Sequence, residues 1–127
     1  MQNQTTTTSL GNIGEAAAKL LLLKQGYEIY SDSGNNYFDI LAYDPVKHKV
    51  KRVEVKTTKT RNESDTGWMV RCKKKEGRYG KDIPFDNKNT DLLIVFIEPL
   101  GKLKVFKGRD IKDKCFRFSV FDKELES

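Results

Sequence analysis

The stretch Arg52-Val53-Glu54-Val55-Lys56-Thr57-Thr58 constrains the fold more than any other part of the chain. Side chains alternate along a β-strand, so the two valines share one face, and Glu54 and Lys56 share the other. The β-branched valines fit the buried surface of a sheet. The stretch therefore predicts a strand with one packing face and one charged face. By itself, the Glu54 and Lys56 pair is also what an ordinary solvent-exposed strand face would carry.

A helix is predicted before this strand. Ser9 is a suitable N-cap, apolar residues recur at helical spacing to about Gln25, and Gly26 favours a left-handed C-cap. Glu15 has small and apolar neighbours on this helix, which predicts partial burial; the alternative is a first-turn glutamate favoured by the helix dipole. The main apolar face is predicted to carry Leu10, Ile13, Ala17, Leu20 and Leu21.

A second acidic position lies on the strand predicted for residues 37–43, where Asp39 interrupts an apolar run. A charged residue in such a strand is costly unless it is paired or binds a metal. The turn at residues 44–48, with His48 exposed, joins this strand to the following one as a hairpin. Asp39 and Glu54 are therefore expected on neighbouring strands.

The remaining pattern predicts an α+β fold. Strands are expected at 27–30, 67–72, 91–97, 103–106 and 116–121, with helical turns at 109–114. Residues 59–66 are expected to be a mobile loop and residues 73–89 a long irregular connection. The length of 127 residues favours one domain over residues 10–121, between a flexible arm at 1–9 and a polar tail at 122–127.

The net charge of +6 is unevenly distributed. Residues 45–62 and 71–81 together hold thirteen Lys and Arg but two Glu, which predicts a phosphate-binding surface; a solvated basic face is the alternative. The predicted contacts are Lys47, Lys49, Arg52, Lys59, Arg61, Lys73, Lys74, Lys75, Arg78 and Lys81. Trp68, Tyr79 and Phe85 could stack on bases, although core packing is the simpler role for Trp68.

The two cysteines exclude some classes of protein. Cys72 and Cys115 are too few for a disulfide framework and lack zinc-site spacing, so free or buried thiols of a reducing compartment are expected. No apolar run is long enough to span a membrane, and the first residues do not form a signal peptide. We therefore expect a cytoplasmic protein.

In this order of elements, the chain resembles the PD-(D/E)XK nuclease superfamily over roughly residues 10–97. The resemblance implies a restriction-endonuclease-like α+β core, with a mixed central β-sheet and an N-terminal helix packed on it. It matches Asp39 and Glu54 to the metal-binding acids, Lys56 to the lysine and Glu15 to the helix acid. Two departures are Phe38 in place of the frequent proline and a basic loop at 73–90 in place of a helix.

Two branches of the superfamily are the most similar. Archaeal Holliday-junction resolvases carry a serine and glycine loop before the aspartate, where this chain has Ser33-Gly34, which implies a DNA contact at Ser33. Homing-endonuclease and restriction-like members carry extra strands at the end, as this chain does after Ile97. Junction, duplex and single-stranded DNA all remain possible substrates.

The resemblance implies hydrolysis of a DNA phosphodiester by a Mg²⁺-dependent endonuclease, with Mn²⁺ as a substitute. Glu15 would complete the metal shell directly or through water, and Lys56 would orient water or stabilise charge. Cleaving two strands needs two sites, which implies a homodimer. Apolar surface left exposed on residues 91–97 and 116–121 would mark its interface, and the alternative is that this surface belongs to the core.

Two other classes of function remain open. A nucleic-acid-binding module could keep this fold without cleaving, but it would be expected to lack one acid, and none is missing here. An unrelated α+β interaction protein would use Glu54 and Lys56 only as a surface pair.

Overall fold

A computed structural model describes residues 7–31, 39–75 and 80–126. Helix α1 spans Thr7–Lys24. The strands are β1 (Glu28–Ser31), β2 (Ile40–Asp44), β3 (Lys49–Thr58), β4 (Gly67–Arg71), β5 (Lys74–Lys75), β6 (Asp82–Ile83), β7 (Leu92–Ile97), β8 (Lys102–Lys107) and β9 (Arg117–Phe121). Single 3-10 turns lie at Glu98–Leu100, Gly108–Asp110 and Asp122–Leu125.

The central sheet has five strands in the order β1-β2-β3-β7-β8. Strands β3 and β7 are parallel, and the other neighbours are antiparallel, so the sheet is mixed. Strands β4 and β9 form a separate antiparallel pair, which we call the ribbon, and β5 pairs with β6. The predicted α+β class, with an N-terminal helix on a mixed sheet, is confirmed.

Helix α1 covers one face of this sheet. Ala18 and Leu22 pack there against an apolar group of sheet residues comprising Ile40, Ala42, Val53 and Ile94. At Gly14 the helix approaches β3 so closely that a Cβ atom would collide with the side chain of Thr57. The helix gives way to a turn at Gln25 and Gly26, and the φ angle of 95° at Gly26 fits the expected left-handed position.

The predicted start and face of the helix need correction. The helix already includes Thr7, so Ser9 lies inside it and residues 7–9 are not part of an arm. Its most buried positions recur every fourth residue at Leu10, Gly14, Ala18 and Leu22. By contrast, Ile13 and Leu20 are 44% and 54% exposed. The small residues at 14 and 18 allow the close approach to β3, and this selects the face.

The ribbon covers the other face of the central sheet. Between them lies the larger apolar cluster, formed by Trp68, Val70, Cys72, Phe85, Leu93, Val95, Ile97, Ile111 and Val120. Trp68 and Phe85 therefore serve as core residues, and base stacking by these side chains is ruled out in this arrangement. The described part of the molecule has three layers: helix, central sheet and ribbon.

Strand β7 does not supply the exposed apolar surface that was expected to mark an interface. Its residues Leu93 to Ile97 are all buried, because the helix covers one face and the ribbon core the other. For 91–97, the alternative of core packing is therefore the one observed. On β9, Val120 is buried in the ribbon core, whereas Phe121 remains 41% exposed.

Two segments expected to be loose are fastened to each other. In the loop at 59–66, Arg61 pairs with Asp65 and with Asp122 of the supposed tail. Leu125 packs against the ribbon core. The charge pairs and the apolar anchor together hold both segments, and neither feature has a periodic signal in the sequence.

The connection after β4 is only partly regular. Strands β5 and β6 form a two-residue pair, and the described part of 73–90 contains no helix. The turns expected at 109–114 reduce to Gly108–Asp110. Ser33, Phe38, Arg78 and Tyr79 lie outside the described residues. Within the described ranges, no helix is both long and apolar enough to cross a membrane.

Candidate active site

Asp39 and Glu54 lie opposite each other where β2 and β3 pair. The register pairs Ile40 with Val53, which sets Asp39 beside Glu54. The backbone N–H of Asp39 donates to the Val53 carbonyl oxygen at 3.1 Å, and Oδ2 of Asp39 accepts the Val55 N–H at 2.8 Å. Asp39 therefore holds the residues on both sides of Glu54, which fixes the two acidic residues relative to each other.

Side chains alternate along β3, so its apolar and charged residues lie on opposite faces of the sheet. Val53 is buried in the helix-side cluster, whereas Glu54 and Lys56 occupy the ribbon side. Glu54 is only 3% exposed, and Lys56 is half-buried. A carboxylate this deep in a protein is costly unless it is paired, hydrogen-bonded or bound to a cation.

The Cys72 thiol lies close enough to Glu54 and Lys56 for their charges to affect its pKa. Burial and then the hydrogen bond with Cys115 raise the pKa of Cys72 to about 12. Lys56 and Glu54 make smaller, opposite contributions to this pKa. The two charged residues of β3 and the cysteine therefore occupy one neighbourhood between the central sheet and the ribbon.

Glu15 does not join the two strand carboxylates in a ligand cluster. In the described ranges, no three His, Cys, Asp or Glu residues are arranged to hold a metal ion. Glu15 is half-buried, as expected, and its Oε1 lies 3.4 Å from Nζ of Lys19. The neighbouring Gly14 contacts Thr57, one residue beyond Lys56, so Glu15 lies on the turn of α1 nearest the end of β3.

Two adjoining carboxylates fit a Mg²⁺ ion. This cation commonly takes one or two protein carboxylates and completes its six oxygen ligands with water and substrate phosphate. Asp39 and Glu54 are hard oxygen donors on adjoining strands, and Asp39 is already oriented by the Val55 N–H. Their carboxylates are thus of the ligand type that Mg²⁺ or Mn²⁺ takes.

Several predicted DNA contacts have carboxylate partners within the fold. Arg52 pairs with Asp91, Arg61 with Asp65 and Asp122, and Lys73 with Asp82. The guanidinium of Arg61 also lies 4.8 Å from the centre of the Trp68 ring. Arg52 and Arg61 have structural roles, whereas Lys73 is exposed although it is paired, as are Lys47, Lys49, Lys59 and Lys81. The side chains of Lys74 and Lys75 lie outside the description.

The Arg52 and Asp91 pair ties β3 to the start of β7. Oδ2 of Asp91 accepts the backbone N–H of Arg52 at 2.7 Å and its Nε–H at 3.1 Å. Burial raises the pKa of Asp91, but the hydrogen bonds and charge of Arg52 outweigh this effect and leave the pKa below its usual value. The pair stabilises the strand that carries Glu54.

Sequence reasoning missed two features on the ribbon side. Arg71 and Arg117 are directly paired across the ribbon, and both are exposed, which adds two cations on one outer surface. The thiols of Cys72 and Cys115 lie 3.3 Å apart. Both features require the pairing of β4 with β9, which is separated by more than forty residues of chain.

The sequence matches no protein-family model and no curated relative. Among solved structures, the fold is similar to that of the bacterial homing endonuclease I-Ssp6803I, with a TM-score of 0.71. The two sequences are 20% identical, and the match covers 92% of this chain and 79% of that chain. The likeness thus extends over nearly all of the helix, sheet and ribbon arrangement.

Proposed function

We propose that this protein is a Mg²⁺-dependent DNA endonuclease of the PD-(D/E)XK type. The observation that carries the proposal is the fixed pair of Asp39 and Glu54 beside Lys56, on the buried polar side of β3. The similarity of fold to a homing endonuclease supports it independently. The free thiols of Cys72 and Cys115 are in keeping with a reducing, intracellular location.

Each residue has a separate role in this proposal. Asp39 and Glu54 would hold the metal. Bound Mg²⁺ would supply a water of lowered pKa and offset negative charge on a phosphate. Lys56, two residues beyond Glu54 on the same face, orients the attacking water or stabilises the developing charge. Glu15 pairs with Lys19 on the helix, which covers the opposite face of the sheet from Glu54 and Lys56, so it is assigned no direct contact with the metal.

DNA affinity is assigned mainly to lysines and arginines that the fold leaves exposed. Lys47, Lys49 and Lys59 flank the ends of β3, and Arg71 and Arg117 extend the positive surface on the ribbon. Such contacts hold phosphates without reading sequence. Branched DNA is one of the substrates that this arrangement could bind.

We also propose that two copies act together. One carboxylate pair cuts one strand, so cleavage of both strands needs two sites, and two-fold dimers are the commonest solution. The outer face of α1 offers a surface for a second copy. Ile13, Ala16, Leu20 and Leu23 form an exposed stripe there at helical spacing.

The test is incubation of the protein with plasmid, linear duplex and a four-way junction, with Mg²⁺ or with EDTA. The proposal expects cleavage of at least one substrate only with Mg²⁺. A Glu54→Gln protein purified in parallel controls for contaminating nucleases. Binding without cleavage of any substrate would instead identify a non-catalytic module with the same fold.

A further inference from the structure

The two cysteines are brought together by backbone pairing at the end of the ribbon. Cys72 directly follows β4, and Cys115 lies two residues before β9. The Cys72 N–H donates to the Phe116 carbonyl at 2.9 Å, and the Cys115 carbonyl accepts the Phe85 N–H at 2.9 Å. These bonds hold both backbones, and the two sulfur atoms lie 3.3 Å apart.

We propose that Cys72 and Cys115 are a reactive dithiol that hydroperoxides convert into an intrachain disulfide. An S–S bond is about 2.05 Å long, so the sulfur atoms need to approach by only about 1.2 Å from their 3.3 Å separation. A rotation of either side chain can supply this movement without unpairing the ribbon. The site is a place of modification, distinct from the carboxylate pair.

The exposure of the two cysteines decides which one the peroxide oxidises first. Cys72 is 1% exposed, whereas Cys115 is half-buried and thus the thiol that an oxidant reaches. Burial and the hydrogen bond with Cys115 raise the pKa of Cys72 to about 12, so Cys72 keeps its proton at neutral pH. Cys115 is therefore the peroxidatic thiol and Cys72 the resolving thiol.

The chemistry balances with a hydroperoxide as the two-electron oxidant. The sulfur of Cys115 attacks the peroxide oxygen, the O–O bond breaks, and a sulfenic acid and an alcohol (water, from hydrogen peroxide) form. The sulfur of Cys72 then attacks the sulfenic sulfur, the S–S bond forms, and water leaves with the Cys72 proton. The cysteines are oxidised by two electrons and the peroxide is reduced.

Metal binding is a weaker explanation for this pair. A structural zinc site needs four ligands, and the described residues hold no group of even three His, Cys, Asp or Glu placed around a common point. A disulfide, by contrast, needs no third residue. It would close a chain segment that contains β7 and β8, both in the central sheet, and would therefore restrict the unfolded chain.

The experiment treats the reduced full-length protein with hydrogen peroxide, then denatures it and adds an alkylating agent. The expected product is a monomer that has lost two hydrogen atoms, takes up no alkyl group and yields a peptide joining Cys72 to Cys115. Dithiothreitol should restore both thiols. The oxidised protein should also unfold at a higher temperature than the reduced protein.

Two variants separate the roles of the cysteines. In Cys72→Ala, a sulfenic acid at Cys115 should be trapped by dimedone, and in Cys115→Ala, Cys72 should remain largely unmodified. If either variant fails to fold, the mass and peptide map of the wild-type protein still show whether the disulfide forms. Two alkylated thiols after peroxide, oxidation to sulfinic acid, or disulfides only between molecules would overturn the proposal.

Discussion

The two faces of the central sheet differ in what they bury. The helix side is a small apolar cluster in which Ala18 and Leu22 pack against aliphatic sheet residues. The ribbon side is larger and apolar as well, but the same sheet face also buries Glu54 and Thr58. Strand β3 serves both faces, because alternate residues point to opposite layers.

The helix side contributes mainly to stability, and the ribbon side carries the candidate chemistry. Apolar burial on the helix side contributes to folding without placing a reactive group, whereas burial of Glu54 has a cost that packing alone does not repay. The helix side should therefore respond to mutation through the free energy of unfolding. The ribbon side should respond through cleavage, pH dependence and thiol chemistry.

The largest effect is expected at Glu54. Replacing Glu54 with Gln should lower the cleavage rate on the order of 1,000-fold, because it removes a metal ligand at the site of developing charge. DNA affinity, measured by fluorescence anisotropy, should remain close to that of the wild-type protein. Glu63→Gln makes the same change at an exposed loop residue and should leave the rate unaltered. Wild-type cleavage by Glu54→Gln would assign the activity elsewhere.

On the helix side, Leu22→Ala should lower the free energy of unfolding by about 2–5 kcal/mol, since it leaves a cavity in the apolar cluster. The matched control is Leu100→Ala, in the turn after β7 and 47% exposed, with an expected change within about 0.5 kcal/mol. Urea denaturation measures both values. Equal losses from the two variants would contradict the buried face described here.

Two adjacent threonines compare the faces directly. Oγ1 of Thr58 donates to the Met69 carbonyl at 2.6 Å and ties β3 to the ribbon. Oγ1 of Thr57 is buried beneath α1 with no hydrogen-bond partner in the described structure. Thr58→Val should therefore cost about 1–2 kcal/mol, whereas Thr57→Val should be neutral or slightly stabilising. Thermal or urea unfolding measures which substitution costs more stability. A larger loss from Thr57→Val than from Thr58→Val would contradict these roles.

A smaller effect is expected from the Arg52 and Asp91 pair. The folded-state pKa of Asp91 is lowered, so its stabilising contribution is present above about pH 4, the usual unfolded value, and is lost as pH falls through the folded pKa. After allowance for solvent screening, Asp91→Asn should cost roughly 0.5–1 kcal/mol at pH 7. The difference from wild type should shrink as pH falls below about 4, whereas a constant difference would point to a role independent of charge.

The sequence predicts the positions of Asp39 and Glu54 on neighbouring strands because only short-range rules are needed. Alternation places Glu54 and Lys56 on one face, and a short hairpin turn brings Asp39 to the neighbouring strand. The same rules predict most of the sheet. They do not select the buried helix face, which depends on how closely Gly14 can approach β3.

Features that join distant segments could not be predicted in this way. The pairing of β4 with β9 brings Cys72 to Cys115 and Arg71 to Arg117, and no local pattern encodes it. Arg52 and Arg61 look like free phosphate contacts in the sequence. Their carboxylate partners, Asp91 and Asp122, become neighbours only in the folded chain.

The most direct test of the metal site is an anomalous difference map from crystals grown with Mn²⁺. The account predicts a peak at about 2.0–2.3 Å from a carboxylate oxygen of both Asp39 and Glu54 in the wild-type protein. The peak should be lost in Asp39→Asn and Glu54→Gln crystals. No peak between these carboxylates in wild-type crystals that bind Mn²⁺ elsewhere, or a peak that survives both substitutions, would contradict it.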